Sequence, residues 1–387
     1  MAIPLAYNLR NLKERKTTTI MTALGIALTV AVLLSVAAMF QGLQRSLAST
    51  GHPLNLLVMR KGATAELNSI MTPQNFQIIK AKPGIARGNN EEPLASLELV
   101  TVIVLESSAN VEMNITVRGI TPAGWDIREG VRVIEGRRFQ PGRREAVVGK
   151  GVVARYPAAH LGGKLTFGRG EWDVVGVLDA GTSAANGEVF VDLNQIASDQ
   201  RREEALSSVL IRATDPVTLH ALINDLTTDR RFVFDAVTEK AYYESQTRSA
   251  APLITIGAIA SVFMAIGSSF AAMNTMYAAV ARRSAEIGTL RVLGFSRLSI
   301  LTSFFIESLL LSLLGGIIGC LLVLPLNNFT TGVGSFVTFS EITFNFTVTP
   351  MIMAAGITFA LVLGGFGGLF PAASAAGKQI LAALRAV

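Results

Sequence analysis

The sequence predicts an α-helical membrane protein with four transmembrane helices and a single α+β domain of about 200 residues outside the bilayer. Three observations carry this. Four apolar runs, Thr18 to Phe40, Pro252 to Val280, Leu298 to Leu326 and Met351 to Ala376, are each long enough to cross a ~30 Å hydrocarbon layer as a helix. Between the first two lies a long stretch of ordinary polar sequence with strand-like and helix-like segments. The 387 residues are 50% hydrophobic and 16% charged, with a mean hydropathy of +0.46, which is too apolar for a soluble chain of this length.

The first run follows Arg10, Lys13, Arg15 and Lys16 and resembles a signal peptide at first sight. A signal h-region is only ~7 to 15 residues long, so the run reads as an uncleaved anchor. Orientation comes from the basic residues. Four precede the first span, Arg282, Arg283, Arg291 and Arg297 follow the second, and Lys378 and Arg385 follow the fourth, whereas the loop from Asn327 to Thr349 has none. That asymmetry places both termini and the loop after the second span in the cytoplasm and the large domain outside. The same residues explain the net charge of +6. Residues outside 43–250 hold ten of the 34 Lys and Arg but four of the 28 Asp and Glu, so the excess is topological and no nucleic-acid partner is implied.

The domain has helix signals near both ends. Thr72-Pro73 is an N-cap and first-turn pair, Phe76 and Ile79 share a face, and Pro83-Gly84 stops the helix. Asp215-Pro216 opens a second helix in which Leu219, Leu222, Ile223 and Leu226 follow helical spacing. Strand-like runs precede them, Leu54 to Met59 and Ser208 to Arg212, and Arg231 to Val237 follows the second. Two α/β halves therefore enclose an insertion. Within it Val111, Met113, Ile115 and Val117 alternate with Glu112, Asn114, Thr116 and Arg118, the period of a half-buried strand. Lys164 to Phe167 and Glu171 to Leu178 flank Gly168-Arg169-Gly170 as a hairpin, and Glu188 to Leu193 adds a strand. The first span is expected to continue to Ser49, before Thr50-Gly51-His52-Pro53 breaks it. At 1.5 Å per residue that helix is ~48 Å long and outruns the bilayer as a stalk. Thr238 to Ala251 is expected to do the same before the second span.

No catalytic motif appears. Gly142 to Gly151 resembles a phosphate loop, but it has six residues rather than four before Gly149-Lys150, and Gly151 stands where Ser or Thr is required. His52, His160 and His220 are far apart in sequence, and Cys320, the one cysteine, lies inside the third span. No metal site, thiol chemistry or disulfide is expected in the domain.

The segment Ala272 to Arg297 is the most informative. Ile287, Leu290 and Gly294 share a helical face on which Arg283 intrudes, so it reads either as a solvated inner loop or as a docking element bracketed by Gly288 and Gly294. Asn274-Thr275-Met276, Arg283-Ser-Ala-Glu286-Ile287-Gly288 and Leu290-Arg291-Val-Leu-Gly294 resemble the signature of ABC-transporter permeases of the MacB, LolC/LolE and FtsX superfamily, the type VII or mechanotransmission type. Phe304 to Glu307 with Gly315 to Gly319 resembles the family's third span, and Pro371 to Gly377 with Ala382 to Arg385 its end. Asn8-Leu9-Arg10 and Gly25-Ile26 resemble its start, and Gly136 to Phe139 with Glu145 to Gly149 its external domain. The resemblance covers essentially the whole chain.

It implies the following division: cytoplasmic residues 1–17; first span and stalk 18–49; a porter-like periplasmic subdomain of 50–96 and 200–237 around an inserted β-rich subdomain 97–199; stalk and second span 238–280; a cytoplasmic coupling segment 281–297; third span 298–326; periplasmic loop 327–349; fourth span 350–376; cytoplasmic residues 377–387. It implies a bacterial inner-membrane permease subunit that binds no cofactor itself. ATP and Mg belong to a separate cytoplasmic ABC ATPase, since the chain has no phosphate loop. A second permease copy or paralogue, a periplasmic adaptor and membrane lipids complete the expected partners.

ATPase docking falls to Arg283, Glu286, Ile287, Gly288, Leu290, Arg291 and Gly294. Asn274 and the pairs Gly315/Gly319 and Gly364/Gly368 pack helices within the subunit or form a dimer seam. Glu307, the one charged residue within the spans, makes a structural hydrogen bond, snorkels or couples protons. Export or extraction of a lipid, lipoprotein, peptide or drug is the expected activity. The rivals are an FtsX-like transducer that activates an external enzyme and a membrane-anchored enzyme, and the empty motif search speaks against the latter.

Overall fold

Strand-forming residues of the polar region assemble into one sheet, and the apolar runs form four long helices. The computed structural model describes residues 7, 10, 14, 16–229, 233–247, 251–335 and 338–377. Lys13, Arg15, Lys378 and Arg385 of the expected inner segments, Asn8-Leu9 and the Ala382 to Arg385 motif lie outside them. The chain divides into two compact units: Met1–Phe40, Pro252–Phe329 and Thr347–Val387 form one, and Gln41–Ala251 with Thr330–Phe346 form the other.

The first unit holds α1 (Lys16–Ala48, whose residues from Gln41 belong to the second unit), α8 (Ala251–Arg282), α9 (Ser284–Val292), α10 (Arg297–Val323) and α11 (Pro350–Gly377). Four of these are long and apolar enough to cross a membrane; α9 is the exception. Within the spans the hydroxyls of Thr29, Ser261, Thr275 and Thr358 donate to the carbonyl four residues earlier, which removes an exposed polar group from an apolar setting.

The second unit contains β1 (Asn55–Arg60), α2 (Pro73–Lys80), β2 (Ala95–Glu106), β3 (Glu112–Ile120), α3 (Ala123–Ile127), β4 (Arg132–Gly136), β5 (Glu145–Gly149), α4 (Lys150–Val153), β6 (Lys164–Phe167), β7 (Gly170–Asp179), β8 (Glu188–Asp192), α5 (Leu193–Asp199), β9 (Ser208–Arg212), α6 (Pro216–Thr228), β10 (Phe234–Thr238) and α7 (Glu239–Gln246). The strands form one ten-stranded sheet in the order β10-β1-β9-β2-β3-β8-β5-β7-β4, with β6 on β7. Only β3/β8 and β5/β7 pair in parallel. Residue 96, the expected limit of the porter-like half, falls within β2, which pairs with β9 at one end and with β3 along the rest.

Both N-caps read from sequence are made as physical chemistry requires. Thr72 accepts from the Asn75 amide, and Asp215 accepts from the amides of Val217 and Thr218 with Pro216 in the first turn. The Asp215 carboxyl is held down at about 2, chiefly by hydrogen bonds from Thr218.

The alternation read for β3 does not hold along its length. Val111 is 51% exposed, whereas Thr116 and Arg118 are buried. The sheet is covered on both faces: Leu56, Val58, Leu99, Val117, Val148 and Ile211 lie in one apolar cluster, while Ile120, Val147 and Phe190, and then Leu57, Met59 and Leu210, lie in two others. Arg118 belongs to this second face and is held by three carboxylates. Glu66 accepts at 2.8 and 2.9 Å, Glu188 at 2.7 and 3.0 Å, and Glu98 at 2.9 Å. Arg128 grips Glu98 through two further bonds of 2.8 Å. Burial alone would raise the Glu98 carboxyl, but Arg128 and Arg118 outweigh it and hold it below its usual range.

The region 327–349 is not a plain loop. It forms a hairpin, β11 (Thr330–Gly334) with β12 (Glu341–Asn345), that belongs to the sheet-bearing unit. The stretch Thr238 to Ala251, expected as a stalk before the second span, holds α7; residues 248–250, between it and α8, lie outside the described residues.

Removing one partner of the Arg118 cluster leaves buried charge uncompensated, at a cost of ~3 to 5 kcal/mol. Arg118→Met should therefore lower the thermal midpoint of the purified protein by many degrees, followed by circular dichroism. Because the Glu98 carboxyl is depressed, its stabilisation is complete above the ordinary carboxyl range and is lost as pH falls below it. The wild-type midpoint should hold from pH 7 to about pH 5 and drop as the pH is lowered below about 4.5, and a midpoint insensitive to both changes would show that the cluster contributes nothing.

Candidate coupling segment and membrane core

At the end of α8 the helix falters at Arg283, whose backbone sits at φ −103°, ψ 19° before α9 begins. Its amide still bonds the Ala279 carbonyl and its carbonyl still accepts from Ile287, so α8 and α9 are joined without a loop. The guanidinium turns inward. Nη1 donates to Glu307 at 2.9 Å and Nε to Glu286 at 3.0 Å, while Cζ lies 4.9 Å from the centroid of the Phe304 ring and 5.3 Å from that of Tyr7. Tyr7 Oη donates to Glu286 as well, at 3.1 Å. A planar guanidinium suits this site because it stacks on rings while its edge binds two carboxylates. The Arg283 and Glu307 side chains are 7% and 4% exposed, against 58% for Glu286.

Four residues on, Ile287 enters an apolar cluster with Met276, Val280, Ile300, Phe304, Leu311, Ala372 and Ala375. Arg283 and Ile287 are neighbours on a helical face, so a charged clasp and an apolar anchor fix the same side of α9. Gly288 is buried on that side, while Leu290 and Arg291 are half-buried. The C-terminus is closed by a Schellman motif: the Phe295 amide bonds the Leu290 carbonyl at 3.1 Å and the Gly294 amide that of Arg291 at 3.2 Å. Gly294 takes φ +92°, which a side chain resists. Ser296 then caps α10 by accepting from the Ser299 amide at 3.1 Å. Two caps so close together leave a sharp corner, where Val292, Leu293 and Leu298 are 62%, 65% and 69% exposed, with Arg297 beside Leu298 in the sequence.

The residues read from sequence thus separate into two groups. Arg283, Ile287 and Gly288 face inward and Glu307 joins them, Gly294 shapes the turn, and only Glu286 and Gly294 are open to solvent. The apolar corner was missed. Its signal was present, because Val292, Leu293 and Leu298 do not fall on the face that Ile287 defines.

The two small-residue motifs pack against this same chain. A Cβ at Gly315 or Gly319 would stand 2.8 Å from the carbonyl oxygens of Ala23 and Ala27 in α1. Gly364 and Gly368 are covered by Ser312 and Ser308 of α10, and the Ser308 hydroxyl donates to the Gly364 carbonyl at 2.9 Å. Asn274, by contrast, is exposed on α8. Over an apolar stretch of eighteen residues, 6% of α8 is buried, against 39%, 39% and 33% for such stretches of the other three spans. Among the described residues no group of His, Cys, Asp and Glu is arranged to hold a metal.

These features define a class: a multi-span membrane protein whose helices carry a folded, sheet-bearing domain and a short helix clasped at the end of the second span. The family model described as the MacB-like periplasmic core domain matches residues 19–229, and that of the FtsX-like permease C-terminal matches residues 258–380. The chain belongs to the MacB-like and FtsX-like family of ABC transporter permeases. The uncharacterized ABC transporter permease YknZ of Bacillus subtilis is 25% identical over 418 residues, covering 97% of both chains. The macrolide export ATP-binding/permease protein MacB of Acinetobacter baylyi is 23% identical over 396 residues, 95% of this chain and 57% of that protein. The chain thus spans little more than half of the MacB relative. Among solved structures, the periplasmic region of MacB from Actinobacillus actinomycetemcomitans is similar at 12% identity and a TM-score of 0.38, covering 50% of this chain and 92% of that one. The extracellular domain of YknZ gives 17% identity and a TM-score of 0.36, covering 48% and 100%.

Glu307→Ala strands the buried Arg283 and should destabilise by ~3 to 5 kcal/mol, whereas the double replacement Arg283→Met with Glu307→Leu should recover most of the loss. Thermal unfolding in detergent measures both. A double variant no better than the single one would mean that the pair is not an isolated clasp.

Proposed function

We propose that this chain is the permease subunit of a bacterial inner-membrane ABC transporter, coupling ATP hydrolysis by a separate cytoplasmic ATPase to motion of its sheet-bearing domain outside the cytoplasm. One observation carries the reading: α9 is immobilised on its inner face by Arg283, Glu307 and Ile287, and its junction with α10 presents an apolar corner of Val292, Leu293 and Leu298 next to Arg297. Exposed apolar groups at a stiff corner suit a partner's groove, and a clasped helix passes on displacement rather than absorbing it. Membership of a family of ABC transporter permeases supports a partner ATPase. The thinly covered α8, with Asn274 outward, is the natural seam for a second copy. Cargo is expected to be apolar or already outside: lipid, lipoprotein, peptide or drug.

Two measurements test this. In a Cys320→Ser background, cysteines at Thr64, Ser198 and Phe339 should react with an impermeant thiol reagent in intact cells, and cysteines at Thr17 and Ser296 should not; all five positions are exposed. The reverse pattern would overturn the topology. Chain purified from native membranes in mild detergent should bring ATP hydrolysis with it, and Leu293→Asp should reduce that activity by about tenfold, the scale of one lost interface anchor. Equal activity in the variant would move the docking site elsewhere.

A further inference from the structure

The hairpin β11–β12 is seated in the sheet-bearing unit by more than surface contact. Glu341 at the start of β12 is buried. Its carboxylate accepts from the Tyr156 hydroxyl and pairs with Arg155, whose guanidinium also lies over the Tyr156 ring at 5.4 Å. Burial and that carboxylate push the Tyr156 phenol well above its usual range. The carboxylate folds across Gly332 of the facing strand, where a Cβ would stand 1.8 Å from its oxygen. Around this lock Thr116 donates to Ser340 at 2.8 Å, Asn114 to the Phe339 carbonyl at 2.8 Å and Ser46 to the Thr343 carbonyl at 3.3 Å. Gly151, the end of the phosphate-loop look-alike, has its place here: a Cβ would meet the Thr343 methyl at 2.7 Å.

The chain passes between the two units after Phe40, Ala251, Phe329 and Phe346, so two of the four passages belong to this hairpin. Its connectors are short. Residues 327–329 separate β11 from the short 3₁₀ turn that ends the third span, and residues 346–349 separate β12 from α11. They are also braced, because Asn327 Oδ1 accepts from the Val348 amide at 3.0 Å and the Thr347 amide donates to the Ala38 carbonyl at 3.2 Å. Connectors of three and four residues span ~10 to 14 Å even when fully extended and have little slack to absorb movement.

We propose that β11–β12 is a further route by which motion of the third and fourth spans reaches the sheet-bearing domain, with Glu341, Arg155 and Tyr156 as the positioning residues that seat it. This rests on the permease reading above. A buried carboxylate held by a cation and a phenol resists being drawn out, because each partner left behind would lose a charge-assisted bond away from water. Displacement of α10 and α11 is therefore delivered to β3 and α4, beside the route through α1 and α7.

Spin labels at Ser198→Cys and Ser296→Cys, in the full chain with its ATPase in nanodiscs and with Cys320→Ser, read the response as a distance change on adding ATP. Inserting four glycines after Phe329 and four after Phe346 slackens the connectors without touching the lock. The response should fall by more than about half while ATP hydrolysis stays within about twofold of wild type. Glu341→Gln should act in the same direction, and an oxidised Thr116→Cys/Ser340→Cys pair should restore it. An undiminished response in the slackened chain overturns the route, and one in Glu341→Gln overturns the role of the lock. If the unaltered chain shows no ATP response, it is the permease reading that fails instead.

Discussion

The arrangement around the coupling segment depends on the ion pair of Arg283 and Glu307. A carboxylate in an apolar helix is tolerable only if something neutralises it, and a guanidinium at the end of the preceding span does so at 2.9 Å. Satisfying that one charge has wider consequences. Arg283 must turn inward, α9 must start where it does, and Ile287 then falls into the cluster formed with Ile300 and Phe304. The corner at Leu293 and Gly294 follows, because α9 can leave the clasp only by a tight reversal into α10. Electrostatic necessity in the third span thus sets the geometry of the exposed corner.

The sheet-bearing unit shows the same logic on a different scale. A sheet wide enough to take ten strands and covered on both faces has little surface on which to place polar residues, so the few it carries must find partners inside. Arg118 with Glu66, Glu98 and Glu188 joins the two apolar clusters of the second face. That cluster is a device of specificity as much as of stability. Any register slip of β3 by one residue would carry Arg118 into the apolar cluster of the first face, where no carboxylate waits.

Much of this was legible in the sequence where chemistry is local. The four spans came from the length of apolar runs, and the caps of α2 and α6 from Thr72-Pro73 and Asp215-Pro216, signals that act within three residues. Strand β9 was found within its bounds because a short apolar run stops at polar residues on either side. The reading failed where partners are distant. Two-face burial erases period-two alternation, so the exposed reading of Arg118 was wrong, and only pairing with Glu66 and Glu188, 52 and 70 residues away, explains its position. The hairpin β11–β12 was read as a loop because β11 carries two glycines in five residues and so gives a weak strand signal, and what holds it is a contact from Glu341 to Arg155. In the segment 272–297, the side that Arg283 faces was not readable without Glu307 beside it.

On the proposed function, the polar groups of the spans decide between a conduit and a lever. A hydrophilic passage needs groups free to replace water around a passenger. Here the hydroxyls of Thr29, Ser261, Ser308 and Thr358 are committed to carbonyls of the helices themselves, and the charged pair is neutralised internally. A cavity of 260 Å³ between α1 and α8 is lined by threonines, but it extends only over residues 17–25 and 268–275. At 1.5 Å per residue that is ~12 Å of a ~30 Å layer, so it does not make a path. The glycines of α10 and α11 work against a path as well, since Gly315, Gly319, Gly364 and Gly368 bring backbones together where a pore would hold them apart. On the proposed function, a helix bundle closed in this way would transmit force through its covalent continuations, the passages at Phe40, Ala251, Phe329 and Phe346. In the proposed mechanism, the short connectors at the last two would make the hairpin a working connection rather than a tether.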